Sequence, residues 1–217
     1  MPSARITGIV PFKKELSYFF VLFVLLVFSF SFDREVLISV MAVRNTVLTS
    51  LMLLLSNFLF IGLVFVIATV FMFRSGRDFI PMLWLAVGLS AVSSLLLKLV
   101  VARPRPYIPM SMVPIVQESS YSFPSTHAAI YFSALMVMAC AAPNLRPAWL
   151  VFTSLGLFSR LYLGVHYLSD ILGGIILGGI IGYMLVWLEK RYAVFTPRGM
   201  KRILHYLRFW RGDLFER

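Results

Sequence analysis

Long apolar runs recur along the whole chain, and they constrain its fold more than any other feature of the sequence. Each run approaches the roughly 20 residues that a helix needs to cross the hydrocarbon core of a bilayer. With 60% apolar and only 13% charged residues, the chain has too much apolar surface for one water-soluble core. Unpaired backbone groups are costly in lipid, and these runs do not alternate as barrel strands do. The sequence therefore predicts an all-α, polytopic membrane helix bundle.

Six of these runs are predicted to span the membrane. Their boundaries fall at about 16–32, 47–73, 79–101, 124–142, 147–166 and 168–188. They form one predicted domain over residues 1–188, followed by a basic tail at 189–217. The first run follows basic residues, as the apolar part of a signal peptide does. We expect it to remain as the first span, because Ser29-Phe30-Ser31 is a poor cleavage site and further spans follow.

The distribution of Lys and Arg predicts the orientation. The net charge of +11 would suggest a nucleic-acid partner in a soluble protein, but these cations lie in the loops and the tail. There they set topology and contact anionic membrane lipids, so we expect membrane lipids and no nucleic acid as partners. More cations lie on the inner side when both termini are cytoplasmic. This orientation puts residues 102–123 and 160–170 together at the outer face.

Two apolar patterns are interpreted as structural. Gly174, Gly178 and Gly182 recur every four residues, which favours close helix packing over a nucleotide-binding loop, because no strand precedes them. Cys140 lies alone in an apolar run and is interpreted as a packing residue. The tail has apolar residues at helical spacing, which suits a helix lying on the inner leaflet; a solvated positive anchor without defined structure is the alternative. These tail residues are Met200, Ile203, Leu204, Leu207, Trp210 and Leu214.

Three short segments hold polar residues that a membrane helix normally avoids. They run from Lys98 to Pro106, from Ser122 to His127 and from Ser159 to Asp170. Ionisable groups at membrane depth are expensive, so we expect these side chains to face the protein interior or a water-filled cleft. Singly, each has a structural explanation: Lys98 can snorkel to the interface, for example. Together they indicate a site.

The second and third segments supply local geometry for that site. Pro124-Ser125-Thr126 is typical of a helix start, with Ser125 or Thr126 as the N-cap. A helix start presents free N–H groups to an anion. His166 and Asp170 are four residues apart and therefore neighbours on one helical face, where a carboxylate can fix the imidazole tautomer. A purely structural His–Asp pair is the alternative.

Two histidines, an aspartate and a serine admit three chemistries. A metal site is disfavoured, because the neighbouring cations would repel a divalent ion. A Ser–His–Asp hydrolase with Ser125 as nucleophile needs one oxyanion hole rather than a group of cations. Phosphoryl transfer uses such a group, since fixed cations stabilise the charge on the phosphoryl oxygens. The set therefore favours phosphoryl transfer, with the cations supplied by Lys98, Arg105 and Arg160.

The three segments closely resemble the motifs of the type 2 phosphatidic acid phosphatase superfamily, which also contains vanadium haloperoxidases and soluble acid phosphatases. The family pattern is Lys-x6-Arg-Pro, then Pro-Ser-Gly-His, then Ser-Arg-x5-His-x3-Asp. The first and third are matched by residues 98–106 and 159–170. The second is matched by residues 124–127, with Thr126 in place of the usual glycine. The similarity spans about residues 98–182, and six spans fit the membrane lipid phosphatase branch.

This resemblance implies a role for each matched residue. His166 attacks phosphorus to give a phosphohistidine, and Asp170 orients and activates it. His127 protonates the leaving group and then helps to activate water. Neither a metal nor a cofactor is implied. The phosphate is held by Lys98, Arg105, Ser125, Arg160 and the backbone N–H of Thr126.

Two positions depart from the family pattern or lie outside it. Branching at Thr126 is expected to narrow the anion pocket or to alter the choice of head group. Arg103 lies outside the matched positions, and we expect it to contact a second phosphate or the lipid surface.

The sequence thus predicts a lipid phosphate or diphosphate phosphatase in a bacterial inner membrane, with its active site at the periplasmic face. Candidate substrates are undecaprenyl diphosphate, phosphatidylglycerophosphate, phosphatidic acid and phosphorylated lipid A, and residues 107–123 are expected to shape the choice. A phosphotransferase that uses a lipid diphosphate is the alternative enzyme. A non-catalytic lipid or anion transporter is a further alternative, disfavoured by the intact set of His127, His166 and Asp170. A haloperoxidase is disfavoured because the chain does not resemble a soluble one.

Overall fold

A computed structural model describes residues 12–196, and every regular element in this range is a helix. The all-α prediction is therefore confirmed for the described residues. The residues of the predicted interfacial helix in the tail, 200–214, lie outside them. The α-helices are α1 (Phe12–Ser29), α2 (Asp33–Ala42), α3 (Thr46–Ser56), α4 (Phe58–Ser75), α5 (Phe79–Val101), α6 (Thr126–Ala141), α7 (Arg146–Tyr162) and α8 (Leu168–Tyr192), with a 3-10 turn at Pro143–Leu145 before α7.

The helices match the predicted apolar runs unevenly. α5 coincides with the third predicted span, and α6, α7 and α8 begin or end within about four residues of the last three. By length and composition, α5 and α8 qualify as membrane spans, and the bent pair of α3 and α4 adds a third. α6 and the apolar part of α1 are shorter apolar helices. The chain is an integral membrane protein, and the count of six spans stays a prediction.

The second predicted span is not one continuous helix. It bends by 62° between α3 and α4, at Asn57. The Asn57 side chain accepts hydrogen bonds from the backbone N–H groups of Leu59 and Phe60, at 2.8 and 3.2 Å, and so caps α4. A side chain that caps a new helix competes with continuation of the preceding one. The predicted span over 47–73 therefore consists of two helices that meet at a bend.

α2 was also absent from the predicted spans. It begins directly after the first span with two acidic residues, Asp33 and Glu35, in its first turn. Carboxylates there are stabilised by the positive end of the helix dipole. Glu35 is exposed, whereas Asp33 is buried. This helix therefore brings one carboxylate into the interior of the protein.

α6 lies at the centre of the bundle and packs against α5, α7 and α8. The glycine stripe of α8 lets the backbones of α8 and α6 approach each other closely. A Cβ atom at Gly178 would lie 2.3 Å from the carbonyl oxygen of Ala129, and one at Gly174 would lie 2.6 Å from that of Ser125. Gly182 is similarly crowded. The packing interpretation of the stripe is confirmed, as is that of Cys140, which packs against the main core cluster.

The polar segments converge where α5 and α7 end and α6 and α8 begin. The connection from α5 to α6 folds back over this end of the bundle. It is fixed by backbone hydrogen bonds from Ser122 N to Arg103 O at 2.8 Å and from Ser125 N to Asp170 O at 3.0 Å. The three segments singled out in the sequence therefore meet at one end of the helices.

Candidate active site

His166 lies in the connection between α7 and α8, and it is 1% exposed. Its Nδ1 atom is 3.3 Å from Asp170 Oδ2, and its Nε2 atom is 3.4 Å from Nη1 of Arg105. A guanidinium only donates hydrogen bonds, so this contact requires a lone pair on Nε2 and places the ring proton on Nδ1, facing the carboxylate. In this tautomer the nucleophilic lone pair points toward a cation.

The surroundings of His166 favour its neutral form. Burial lowers the pKa of His166 well below its ordinary value, and the nearby charges of Arg160, Arg105 and Lys98 lower it further. Glu118 acts in the opposite direction, but it does not outweigh them. His166 is therefore unprotonated at neutral pH, and the lone pair on its Nε2 atom is free of a proton.

Asp170 is fixed by several donors in the first turn of α8. Besides His166, its carboxylate accepts hydrogen bonds from the hydroxyl of Ser122, from the backbone N–H of Tyr167 at 2.9 Å and from Nη1 of Arg103 at 2.7 Å. The residue is fully buried. This carboxylate is positioned to hold the imidazole and to stabilise the charge that develops on it.

Arg103 lies between two carboxylates. Its Nη2 atom pairs with Asp33 Oδ2 at 2.7 Å, while Nη1 binds Asp170. The guanidinium carbon lies 4.1 Å from the ring centroid of Tyr167 and 5.0 Å from that of Phe30. The sequence analysis expected Arg103 at a second phosphate or at the lipid surface, whereas the structure commits its donors to these carboxylates. Asp33 was missed, because only its position directly after an apolar run marks it in the sequence.

The three predicted phosphate-binding cations meet beside His166. Lys98, Arg105 and Arg160 are 3%, 1% and 1% exposed. The Lys98 ammonium donates to the carbonyl oxygens of Tyr121, at 2.5 Å, and Ser122, at 3.3 Å. Three buried cations at one point require an anion nearby.

In the structure, that anion is Glu118. One carboxylate oxygen pairs with Nη2 of Arg105 at 2.6 Å, and the other pairs with Nη2 of Arg160. Burial would raise the pKa of Glu118, but Arg160 and Arg105 outweigh it and hold the pKa below its ordinary value. Glu118 is therefore ionised. The sequence analysis missed it, although it is a carboxylate within the segment expected to shape substrate choice.

Arg160 retains one free donor. Its Nε atom is buried and has no hydrogen-bond partner among residues 12–196. Its Nη1 atom donates to the hydroxyl of Ser56, at the break between α3 and α4. A buried N–H without a partner is costly, and an anion in the site would satisfy it.

His127 lies in the first turn of α6 and is 3% exposed. Its ring stacks on Phe58 with centroids 4.0 Å apart, and its Nε2 atom is 2.9 Å from the carbonyl oxygen of Ser56. His127 and His166 line the same cavity of about 360 Å³, together with Lys98, Thr126 and Glu118 among others. Two imidazoles from separate parts of the chain therefore face one space.

Ser125 and Thr126 have different positions at this cavity. The Ser125 hydroxyl accepts a hydrogen bond from Ala128 N at 3.4 Å and caps α6, which confirms one of the two predicted N-caps. It faces its own helix, and Ser125 is absent from the residues that line the cavity. The Thr126 hydroxyl lies 3.1 Å from that of Ser94 on α5, and Thr126 does line the cavity.

Metal binding was disfavoured in the sequence because of the cations. Within the described part of the chain, no group of three or more His, Cys, Asp and Glu side chains is arranged to hold a metal ion. Independence from metal stays a prediction.

Comparisons with known proteins agree with this geometry. The model of the PAP2 superfamily matches residues 80–193, more than half of the chain, and this range includes all three segments. Phosphatidylglycerophosphatase B of Bacillus subtilis (strain 168) is 30% identical over an alignment of 154 residues, and the match covers 66% of this chain and 73% of that protein. Decaprenylphosphoryl-5-phosphoribose phosphatase of Mycobacterium tuberculosis (strain ATCC 25618 / H37Rv) is 38% identical over an alignment of 103 residues, and the match covers 46% of this chain and 57% of that protein.

The fold is similar to that of a solved relative. The crystal structure of the transmembrane PAP2-type phosphatidylglycerolphosphate phosphatase from Bacillus subtilis superposes with a TM-score of 0.67 at 25% sequence identity. The match covers 82% of this chain and 96% of that one. The chain therefore belongs to the PAP2 superfamily, as a membrane lipid phosphatase.

Proposed function

We propose that the protein hydrolyses a phosphomonoester or diphosphate on a lipid head group through a phosphohistidine at His166, at the outer face of a bacterial inner membrane. The main observation in support of this proposal is the orientation of the His166 ring. Its Nε2 lone pair faces Arg105, its Nδ1 faces Asp170, and burial supports the neutral form. An imidazole held in this tautomer beside buried cations is suited to attack a phosphoryl group.

In the first step, His166 Nε2 attacks phosphorus and the bond from phosphorus to the leaving oxygen breaks. The bound phosphate anion favours the charged form of the buried His127 ring, and His127 gives its proton to that oxygen, so that a neutral head-group hydroxyl or a protonated phosphate departs. The positive charge that forms on the His166 ring is stabilised through Nδ1 by Asp170. The products of this step are the dephosphorylated lipid and the phosphohistidine.

In the second step, water attacks the phosphohistidine. His127, now neutral, takes a proton from the water, and the bond from phosphorus to Nε2 breaks. Inorganic phosphate leaves, and both histidines return to their starting protonation states. His127 faces the same cavity as His166, which supports its use as the acid and then the base.

Glu118 holds the place of the substrate phosphate in the resting enzyme. It takes donors from Arg105 and Arg160 that a phosphate oxygen would otherwise receive. Its side chain is 24% exposed, so it can leave without unfolding a helix. When the phosphate enters, Glu118 moves away, and the phosphate is held by Arg105, by Arg160 including its free Nε, and by Lys98.

The names of the relatives indicate which substrate classes to test. The names of the two curated relatives specify phosphatidylglycerophosphate and decaprenylphosphoryl-5-phosphoribose. For this chain, candidates are therefore a phosphorylated glycerolipid and a phosphorylated polyprenyl sugar, beside undecaprenyl diphosphate, phosphatidic acid and phosphorylated lipid A. Glu118 and Ser120 bring the segment 107–123 to the cavity, which supports a role for it in substrate choice.

Phosphate release by purified protein in detergent tests this proposal. We expect release from at least one member of this lipid panel, full activity in excess EDTA, and no activity above background for His166→Ala with an unchanged elution volume. Absence of release from every lipid, or near-normal activity of the variant, would overturn the proposal. Transfer of label to an added acceptor without phosphate release would identify a phosphotransferase instead.

A further inference from the structure

The reaction described above does not use Asp33 or Arg103, yet both are connected to Asp170. We propose that Asp33 is a positioning residue that acts through Arg103 on Asp170 and so aligns the nucleophile. This inference rests on the proposed role of His166. Asp33 lies on α2, outside residues 80–193, which match the superfamily model. The alignment of the nucleophile would then depend on a helix that precedes the matched region.

A continuous chain of contacts leads from Asp33 to the nucleophile. Asp33 Oδ2 accepts from Arg103 Nη2 at 2.7 Å, and Arg103 Nη1 donates to Asp170 Oδ1 at 2.7 Å. The other oxygen of Asp170, Oδ2, faces Nδ1 of His166. Because the two oxygens of Asp170 have different partners, the position of the Arg103 guanidinium sets the rotation of the carboxylate toward the imidazole.

Asp33 also fixes the beginning of α8. It accepts hydrogen bonds from the backbone N–H of Ser169 at 2.8 Å and from its hydroxyl at 2.5 Å. The Ser169 hydroxyl in turn accepts from Arg103 Nη1 at 2.6 Å. A carboxylate at a helix start satisfies free N–H groups and favours the helix dipole. Asp33 thereby holds the helical turn that carries Asp170.

The charges of Asp33, Arg103 and Asp170 explain why the contact between Asp33 and Arg103 would affect catalysis. Asp33 and Asp170 are 4% and 0% exposed, and they share the single positive charge of Arg103. Without Asp33, that charge would act on Asp170 alone and weaken its attraction for the positive ring that forms on His166. Stacking against Phe30 and Tyr167 holds the guanidinium in plane. Asp33 therefore affects the transition state more than the binding of substrate.

The variant Asp33→Asn tests this role, with Glu35→Gln as a matched control on an exposed carboxylate of the same helical turn. Loss of a partner that orients a metal-binding histidine commonly costs about 10- to 100-fold in activity, and misplacing a reacting group by about 1 Å can cost about 100-fold. We expect such a fall in kcat, with KM changed less than about twofold, and an equal fall in the single-turnover rate of phosphohistidine formation. Glu35→Gln should match the wild type. We expect Asp33→Glu, which restores a carboxylate, to recover part of the rate.

A double-mutant cycle separates positioning from stability. If Asp33 acts through Asp170, Asp33→Asn should cause no further loss of kcat in an Asp170→Asn background. A full additional loss there, or a wild-type kcat for Asp33→Asn, would overturn the inference. Arg103→Lys supplies the same test if Asp33→Asn does not fold, because a lysine cannot hold both carboxylates in a fork. Should Asp170→Asn itself retain full activity, the proposed function fails rather than this inference alone.

Discussion

His166 lies between two clusters of buried charges that are built differently. On its Nε2 side is a cation cluster of Lys98, Arg105 and Arg160, paired with Glu118. On its Nδ1 side is a carboxylate cluster of Asp33, Arg103 and Asp170. The Glu118 side chain is 24% exposed and comes from a loop, whereas those of Asp33 and Asp170 are 6% and 0% exposed and lie on helices. One cluster can exchange its anion, and the other keeps its anions in place.

From this difference we infer that each cluster has its own part in the proposed reaction. An enzyme that binds and releases phosphate needs cations whose resting partner can leave, and Glu118 is such a partner. It also needs an imidazole whose orientation does not change as phosphate comes and goes, which a carboxylate with several donors provides. Variants of the carboxylate cluster should therefore change kcat. Variants of Glu118 should mainly change anion binding.

The largest effect is expected at Asp170. Replacing Asp170 with Asn keeps the size of the side chain but removes the charge that holds the Nδ1 proton and stabilises the charged ring. By comparison with the aspartate of a catalytic triad, we expect kcat to fall by about 10³- to 10⁴-fold. Phosphate release under saturating substrate measures this. A loss below tenfold would show that the carboxylate cluster does not activate His166.

A smaller loss is expected at Arg160. Its Nε is a buried donor without a hydrogen-bond partner in the described residues, so it is expected to contact the phosphoryl oxygens directly. Removal of one such donor costs about 10²- to 10³-fold in kcat. We expect this loss for Arg160→Gln, measured as phosphate release, with Arg34→Gln on the exposed face of α2 as the control. Equal activity of the two variants would contradict a phosphate site at this cluster.

At Glu118 we expect a several-fold gain in anion binding rather than a loss of activity. If its carboxylate competes with phosphate, Glu118→Gln should bind inorganic phosphate and vanadate more tightly, because less of the enzyme is occupied by its own anion. We expect inhibition constants about 3- to 10-fold lower than for the wild type. Competitive inhibition assays measure them, with Glu35→Gln as the control. Weaker binding of both anions would show that Glu118 supports the phosphate site rather than occupying it.

The smallest effect is a shift of the acid limb of the pH profile. Because burial and the cations lower the pKa of His166, the neutral nucleophile persists as pH falls below the ordinary histidine range. Since Glu118 opposes that lowering, Glu118→Gln should move the acid limb of kcat/KM to still lower pH. Because the wild type and the variant are measured on the same substrate, ionisation of the substrate affects both pH profiles equally. A shift to higher pH in the variant would contradict this assignment.

The sequence predicted the residues whose relation is local. His166 and Asp170 are four apart in sequence, and they do meet, although His166 lies just before α8 and not on a helical face with Asp170 as expected. The cations come at fixed motif spacings near helix ends, so the motifs reveal these residues. Asp33 and Glu118 could not be found in this way. Asp33 meets Ser169 across 136 residues of chain, and Glu118 meets Arg160 across 42, and only the packing of separate helices creates these pairs.

The same distinction applies to the fold. Apolar runs predicted where helices occur, because burial in lipid depends on average hydropathy over a whole segment. They did not predict the break at Asn57, which depends on one polar side chain that caps a new helix. They also did not predict α2, which is less apolar than a span. Where one helix ends and the next begins depends on single residues, and hydropathy averaged over a segment does not detect them.

Direct trapping of the covalent intermediate tests the central claim, that His166 is the nucleophile. A radiolabelled aryl phosphate is suitable, because its leaving group departs without a proton while hydrolysis still needs a base. His127→Ala should then accumulate label on the protein that survives alkali but not acid, on a peptide that contains His166. The double variant His127→Ala, His166→Ala should carry none. Label that persists in the double variant, or acid-stable label on Ser125, would contradict the account.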